Sequence, residues 1–94
     1  MFKVEVMAPV YDYIRRLAPE QRRTLKKALK ELDHEHGDIR ALEQALTGYY
    51  RLRVGKFRII FRYPSASTIE AVFIEERGIV YEVFEEQFLA KLRT

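Results

Sequence analysis

The stretch Gly48–Arg62 reads Gly-Tyr-Tyr-Arg-Leu-Arg-Val-Gly-Lys-Phe-Arg-Ile-Ile-Phe-Arg, and it decides the fold. Side chains alternate in character over Tyr49–Val54 and again over Phe57–Arg62, on either side of the pair Gly55-Lys56. Two alternating runs rich in aromatic and β-branched residues around a glycine-containing pair predict a β-hairpin. A glycine at the first loop position predicts a type II′ turn, because that position needs a positive φ.

The hairpin carries charge of one sign. It holds four arginines, one lysine and no acidic residue. Arg51 and Arg53 share one strand face, and the turn can bring Arg58 near them. Guanidinium groups match phosphate oxygens in a bidentate way, so the row predicts an anion-binding surface. The alternative is an ordinary solvated sheet face, although such a face usually mixes signs because like charges on facing strands repel.

The composition limits the class of protein. A chain of 94 residues predicts one small domain over 1–94, since domains typically have about 100–200 residues. The absence of cysteine excludes a disulfide framework and a thiolate metal site. No apolar run has the length of a signal peptide or a membrane span, so we expect a cytoplasmic protein. The net charge of +3 is compatible with a nucleic acid or an acidic protein as partner.

Outside the hairpin, the pattern predicts two strands and three helices. Phe2–Met7 alternates like a short strand, and Thr68–Ile74 reads as a buried central strand. Apolar residues at helical spacing predict helices over Val10–Leu17 and Glu20–His34, with Pro9 and Pro19 in their first turns. A C-terminal helix is expected over Ile79–Arg93.

The segments between these elements carry turn signals. Gly37 is predicted to be the C-cap of the second helix. Asp38–Thr47 is expected to be a connection with a helical turn over Ile39–Ala45, and Tyr63–Ser67 a turn. The two histidines of His34-Glu35-His36 do not share a helix face, and the chain has no third histidine and no cysteine, so no metal site is predicted.

Together these elements predict an α+β domain in the order strand, helix, helix, three strands, helix. We expect a small, largely antiparallel sheet of about four strands, with the N-terminal helix pair on one face. The other face would be open and would carry the arginine row.

The hairpin resembles the central hairpin of the RelE/ParE toxin superfamily, whose members carry a similar Gly-x-Tyr-Arg-Leu-Arg-x-Gly-x-Tyr/Phe-Arg run. Val72–Tyr81, which reads Val-Phe-Ile-Glu-Glu-Arg-Gly-Ile-Val-Tyr, resembles the family's final strand and its Arg-x-x-x-Tyr ending. Leu46-Thr47-Gly48 is similar to the segment that leads into the sheet. The order of elements also agrees, so the resemblance covers nearly the whole chain.

The resemblance implies an mRNA interferase of a type II toxin–antitoxin system. Such an endoribonuclease enters the ribosomal A site and inhibits translation by cutting the messenger. The ribose 2′-hydroxyl attacks the adjacent phosphate and leaves a cyclic phosphate. The implied partners are a cognate antitoxin, with which it would form a hetero-oligomer, and the ribosome with its mRNA; no cofactor, metal or membrane is implied.

The resemblance also assigns site residues. Arg51 and Arg53 stand where RelE has lysines, and Arg58 and Arg77 match family arginines expected to bind phosphate and transition-state charge. Tyr81 matches the family tyrosine that would orient or stack on a base or take part in proton transfer. Further cations expected to bind RNA are Lys56 and Arg62 in the hairpin and Arg22 and Lys26 on the second helix.

Several questions stay open at this point. Arginine has a pKa above about 12 and is a poor proton shuttle, so the general base and acid are unassigned. Glu75 and Glu76 flank Arg77 and would either neutralise it or supply the base. A ParE-like toxin that binds DNA gyrase and cuts nothing is the alternative function, and an inactive member that only binds an antitoxin is a third.

Overall fold

The protein is described by a computed structural model over residues 1–76, together with Glu86 and Ala90. The predicted C-terminal helix, apart from these two positions, lies outside the described residues, as do the predicted site residues Arg77 and Tyr81. The strands are β1 (Lys3–Val6), β2 (Asp38–Ala41), β3 (Tyr49–Val54), β4 (Phe57–Ser65) and β5 (Thr68–Glu76), and the helices are α1 (Ala8–Arg15) and α2 (Pro19–Glu31).

The strands form one mixed sheet in the order β1-β5-β4-β3-β2. β1 pairs with β5 in parallel, and the other three pairings are antiparallel. β5 therefore lies inside the sheet between β1 and β4, which confirms the prediction of a central, buried strand. β4 continues to Ser65, so the turn predicted over Tyr63–Ser67 is shorter. An irregularity in the ladder between Arg62 and Ser65 accommodates Pro64, which cannot donate a ladder hydrogen bond.

Within residues 1–76 the sheet has five strands and not about four, because Asp38–Ala41 forms β2. We predicted a connection with a helical turn at this point. The segment instead pairs with β3, with Ile39 opposite Leu52, and the turn of 3-10 helix follows later at Gln44–Leu46. Four residues show too little alternation to predict a strand, and the free edge of β3 decides their conformation by pairing with them. The described part therefore follows the order strand, helix, helix and four strands.

The two helices begin as predicted, with Pro9 and Pro19 in their first turns. The end of α2 differs from the prediction that Gly37 caps it. A 3-10 turn over Leu32–His34 extends α2, and the left-handed residue that ends it is Glu35, with φ 57°, whose N–H donates to the carbonyl of Leu32 at 2.9 Å. An acidic residue thus occupies the conformation that sequence rules assign to glycine.

Gly37 has a different role. Its φ is +132°, and a Cβ at this position would lie 2.6 Å from Leu52 Cδ1. Glycine is therefore required where the chain passes β3 at close range on its way into β2.

The main core fills the space between the helices and one face of the sheet. Val10 and Ile14 of α1 and Leu25 and Leu29 of α2 are buried against it. The core residues that the sheet contributes are Leu52, Phe57, Ile59, Phe61, Ile69, Ala71 and Ile74. Apolar burial on this scale is the dominant force that holds helices on a sheet, at about 25 cal/mol per Å².

Among the described residues, a smaller apolar cluster covers part of the second face of the sheet. Leu46, in the turn between β2 and β3, is buried with Ile60 and Phe73, which point away from the helices. Leu42, Tyr49 and Val72 pack around this smaller cluster. The arginine row of the hairpin lies on this face, so its cations are next to this small apolar cluster.

Candidate functional site

The β3-β4 hairpin has the predicted register. Val54 pairs with Phe57 and Arg53 with Arg58. Gly55 has φ +58°, whereas Lys56 is not among the residues with positive φ. A type II′ turn has a positive φ only at the first of its two loop positions, whereas a type I′ turn has it at both. The turn is therefore type II′, as predicted. The expectation that the turn brings Arg58 near Arg53 is confirmed.

Two cross-strand rows of side chains define the site on the face away from the helices. One row runs across four strands and contains Asp38, Arg53, Arg58 and Glu75. The row beside it contains Arg40, Arg51, Ile60 and Phe73. Directly opposed residues in a sheet have Cβ atoms about 5 Å apart, so neighbours in each row interact. We call Arg40, Arg51, Arg53 and Arg58 the arginine cluster.

Arg51 is the buried member of the arginine cluster, with 6% of its surface exposed. Its Nη2 donates to Asp38 Oδ1 at 3.2 Å. Its Nε is buried and has no hydrogen-bond partner within the described residues. Since buried donors are nearly always satisfied, this nitrogen is suited to an acceptor that lies outside the described residues.

Asp38 bridges Arg51 to Arg53. Arg53 Nε lies 2.9 Å from Asp38 Oδ2, while the other carboxylate oxygen accepts from Arg51. About half of the Arg53 side chain is exposed. One carboxylate therefore offsets the repulsion between two guanidinium groups on the same strand, one buried and one open to solvent.

Arg58 is half-buried and lies between Arg53 and Glu75 in its row. Its Nη1 is a second buried nitrogen without a hydrogen-bond partner among the described residues. The arginine cluster thus contains two buried guanidinium nitrogens that can still donate, on adjacent strands and on one face. Such donors favour an oxyanion with several oxygens, of which a phosphodiester is the natural example.

The predicted RNA-binding residues Arg62 and Lys56 lie at the margins of this face. Arg62 Nε donates to Glu70 Oε1 at 2.9 Å, and this bond raises the pKa of the guanidinium. Lys56 lies in the turn, 3.5 Å from Glu76 Oε1. Both cations have a carboxylate partner and are about half exposed, so each adds little fixed charge to the site.

Arg22 and Lys26 are separated from the arginine cluster by the sheet. They belong to α2, which packs on the opposite face. Arg22 Nη1 donates to the carbonyls of Arg15 and Leu17, at 3.4 and 3.3 Å, and so satisfies groups at the end of α1. Lys26 lines a groove beside β1 together with Tyr11. The structure therefore does not bring the four predicted RNA-binding cations into one site.

Asp38 and Arg40 are the members of the site that the sequence did not indicate. Both were assigned to a connection, where polar residues are common. Their signal is the alternation Asp38-Ile39-Arg40, which places Asp38 and Arg40 on one face if the segment is a strand. That condition depends on the pairing with β3.

The groups for proton transfer stay unassigned in the described part of the site. Tyr63 and Tyr13 have raised pKa values, first because of burial. Both lie on the helix side, where the hydroxyl of Tyr63 donates to Glu35 at 2.6 Å and Tyr13 packs edge-on against Phe57. Neither reaches the arginine cluster.

Solved structures of bacterial and archaeal toxins share this fold. The isolated RelE toxin of Escherichia coli matches with a TM-score of 0.65 and 14% identity, over 96% of this chain and 98% of that chain. A YoeB/ParE toxin from Agrobacterium tumefaciens matches with a TM-score of 0.67 and 14% identity, over 82% of this chain and 100% of that chain. The RelB-RelE complex of Methanococcus jannaschii matches with a TM-score of 0.65 and 20% identity, over 85% of this chain and 98% of that chain.

No protein-family model matches the chain, and no curated protein matches it significantly. At 14 to 20% identity the solved structures establish the fold. The chain has the fold of the RelE- and ParE-like toxins, which confirms the resemblance at the level of architecture. Within the described part of the chain, no helix has the length and apolar character needed to cross a membrane.

Proposed function

We propose that this chain is the toxin of a type II toxin–antitoxin pair and that it cuts messenger RNA as a ribosome-dependent endoribonuclease. The fold is the one seen in RelE, YoeB and ParE toxins. The observation that supports the proposal is the pair of buried nitrogens Arg51 Nε and Arg58 Nη1, which have no hydrogen-bond partner among the described residues and lie on the face opposite α1 and α2.

The proposed reaction needs charge stabilisation more than any other contribution. The ribose 2′-oxygen forms a bond to phosphorus while the bond to the 5′-oxygen breaks, leaving a cyclic phosphate and a 5′-hydroxyl. The pentacoordinate phosphorane carries more negative charge than the phosphodiester, so fixed cations lower the barrier selectively. Arg51 and Arg58 would donate to the phosphate oxygens, and the half-exposed Arg53 would bind the adjacent backbone.

Proton transfer completes the reaction. A base must accept the proton of the 2′-hydroxyl, and an acid must protonate the 5′-oxygen that leaves. Arginine serves neither role, since its pKa is above about 12. In the proposal, Arg77 binds the phosphate and stabilises the negative charge of the transition state, and Tyr81 stacks on a base or exchanges a proton.

We further propose an antitoxin as the protein partner and the cytoplasm as the location. Toxins of this fold have been solved with their antitoxins, as RelB-RelE in Methanococcus jannaschii and YoeB-YefM in Staphylococcus aureus. An antitoxin that reaches the arginine cluster would need acidic groups, because the cluster is cationic. Binding there would compete directly with RNA.

Primer extension on programmed ribosomes tests the nuclease. We expect cuts in the A-site codon with the wild type, and a loss of at least 10²-fold in cutting rate for Arg51→Ala and Arg58→Ala. Arg15→Ala is the matched control, since Arg15 lies on α1 and pairs with Asp12. Unchanged cutting in Arg51→Ala and Arg58→Ala would contradict the assignment.

A ParE-like toxin that inhibits DNA gyrase without cutting RNA is the second candidate. The observation that favours it is the carboxylate at each end of the Asp38–Glu75 row, which lowers the net charge offered to RNA. If the folded wild type cuts no messenger on the ribosome, a gyrase supercoiling assay decides. Inhibition there would establish this candidate, and no inhibition would leave an inactive, antitoxin-binding protein.

A further inference from the structure

We propose that Asp38 is a positioning residue of this site, which holds the guanidinium groups of Arg51 and Arg53 in the orientation that binds a phosphodiester. The consequence for cleavage rests on the proposed function. The effect on the two arginines does not, and it can be measured without RNA.

The first support is the geometry of the contact. Asp38 lies directly opposite Arg53 on the neighbouring antiparallel strand, and Arg51 is two residues along β3 on the same face. A diagonal neighbour of this kind is about 7–8 Å away, and the long side chain of Arg51 can span that distance. One carboxylate oxygen accepts a hydrogen bond from Arg51 Nη2 at 3.2 Å, and the other forms an ion pair with Arg53 Nε at 2.9 Å.

The second support is which nitrogens the carboxylate uses. Asp38 engages Nη2 of Arg51 and Nε of Arg53. It does not occupy Arg51 Nε, which stays buried without a partner in the described part of the chain. A carboxylate that merely neutralised Arg51 would bind its fork in a bidentate way. This one fixes the end of the guanidinium and leaves a donor for a ligand.

The third support is the charge that surrounds Asp38. The face holds Arg40 opposite Arg51, and Arg58 opposite Arg53. Without a carboxylate between them, Arg51 and Arg53 would separate to reduce repulsion, and long side chains have many rotamers in which to do so. The short aspartate side chain, held by its strand pairing, limits that freedom.

Two substitutions separate position from charge. Asp38→Asn removes the charge with almost no change in shape, and Asp38→Glu keeps the charge but moves it by one methylene group. If Asp38 positions the arginines, both variants lower kcat for cleavage, by about tenfold or more. Of the two variants, only the Asp38→Asn protein should also bind RNA more tightly. Its slope of log affinity against log salt should be steeper by about one, because one more net positive charge faces the RNA backbone.

A counter-charge without a positioning role gives a different pattern. In that case Asp38→Glu behaves like the wild type in kcat, KM and salt slope, and only Asp38→Asn changes. That result would overturn the proposal.

The direct readout is the NMR spectrum of the arginine Nε–Hε groups in the free protein. We expect restricted Arg51 and Arg53 side chains in the wild type, and a fall in their order parameters in both Asp38 variants. Arg62, held by Glu70, is an internal reference that should not change. Asp12→Asn removes an exposed partner of Arg15 and should leave Arg51 and Arg53 restricted.

The controls keep the inference separate from the proposed function. Cross-strand NOEs between Ile39 and Leu52 report whether β2 still pairs with β3 in each variant. If Arg51 and Arg53 stay equally restricted in a folded variant, Asp38 does not position them. If the wild type cuts no RNA, the proposed function fails, while the order parameters still decide the role of Asp38.

Discussion

Arg53 and Arg58 face each other directly across the β3-β4 hairpin, on the side of the sheet opposite α1 and α2. Like charges in directly opposed positions destabilise a sheet, and here the row continues on each side to an acid, Asp38 beyond Arg53 and Glu75 beyond Arg58. The arrangement lets a small sheet hold adjacent cations at fixed spacing. The proposed site needs these cations close together, whereas their mutual repulsion lowers the stability of the fold.

Arg51→Met tests that opposition. Arg51→Met removes a buried guanidinium whose Nε has no hydrogen-bond partner among the described residues, and with it a desolvation cost. The partner left behind, Asp38, is about half exposed and keeps its ion pair with Arg53, so no buried charge is left uncompensated. We expect a free energy of unfolding that is unchanged or higher by about 1 kcal/mol, together with loss of RNA cleavage. Urea denaturation and primer extension measure the two effects. A large loss of stability would mean that the bond from Arg51 to Asp38 holds the fold together.

Arg15→Met is the control for that comparison, because Arg15 is exposed on α1. Its substitution should change the free energy of unfolding by less than about 0.5 kcal/mol and leave cleavage intact.

The separation of the two basic surfaces predicts different effects on RNA affinity. A short oligonucleotide can reach one face of the sheet at a time, and the arginine cluster offers the buried donors. Arg53→Gln should reduce the slope of log affinity against log salt by about one, whereas Lys26→Gln should leave it unchanged. Fluorescence anisotropy across a salt series measures both. The reverse result would place the RNA on the helix face.

Gly37→Ala should destabilise the fold by about 2–4 kcal/mol. The substitution meets two costs, a φ of +132° and a Cβ 2.6 Å from Leu52 Cδ1. Gly48→Ala is the matched control, since Gly48 also has a positive φ, +98°, but nothing lies within 4 Å of its Cβ position. The difference between the two variants in urea denaturation isolates the steric contact. Equal effects would mean that Leu52 moves aside without cost.

The raised pKa of Tyr63, on the helix side of the sheet, predicts that the protein loses stability at alkaline pH. Burial, and then the hydrogen bond to Glu35, raises the pKa of Tyr63 in the folded state. The folded protein therefore keeps this proton where the unfolded chain has released it. Its contribution to stability is complete below the unfolded pKa of about 10 and is lost as the pH rises above that value.

Denaturant unfolding at several pH values between 8 and 11 measures this effect. The fall in the free energy of unfolding above pH 10 should be smaller in Tyr63→Phe than in the wild type. Tyr11→Phe is the control, because Tyr11 is well exposed. A slope in Tyr63→Phe equal to that of the wild type would exclude Tyr63 as its source.

The sequence allowed the local structure of the hairpin to be predicted in detail. Alternation separates Leu52 from Arg51 and Arg53, and one glycine at 55 determines the turn and hence the register that opposes Arg53 to Arg58. The prolines at 9 and 19 mark the helix starts. Each of these signals lies within a few residues of the feature that it determines.

The parts that could not be predicted depend on contacts between distant segments. Asp38–Ala41 becomes a strand because β3 has a free edge, and only then does Asp38 meet Arg51 and Arg53. The end of α2 depends on Glu35, whose carboxylate accepts from Tyr63 far along the chain. Arg22 looked like a surface cation, yet its guanidinium satisfies carbonyls at the end of another helix.

The parallel pairing of β1 with β5 sets the timing of folding. β1 must wait until β5, the last described strand, has been made before the two can pair. Closing so long a loop is entropically costly, and contacts of high sequence separation slow folding. The hairpin can form before β5 is made, whereas β1 stays unpaired until β5 is available. A nascent chain of this protein should therefore acquire its finished sheet late, after the arginine-bearing hairpin has formed.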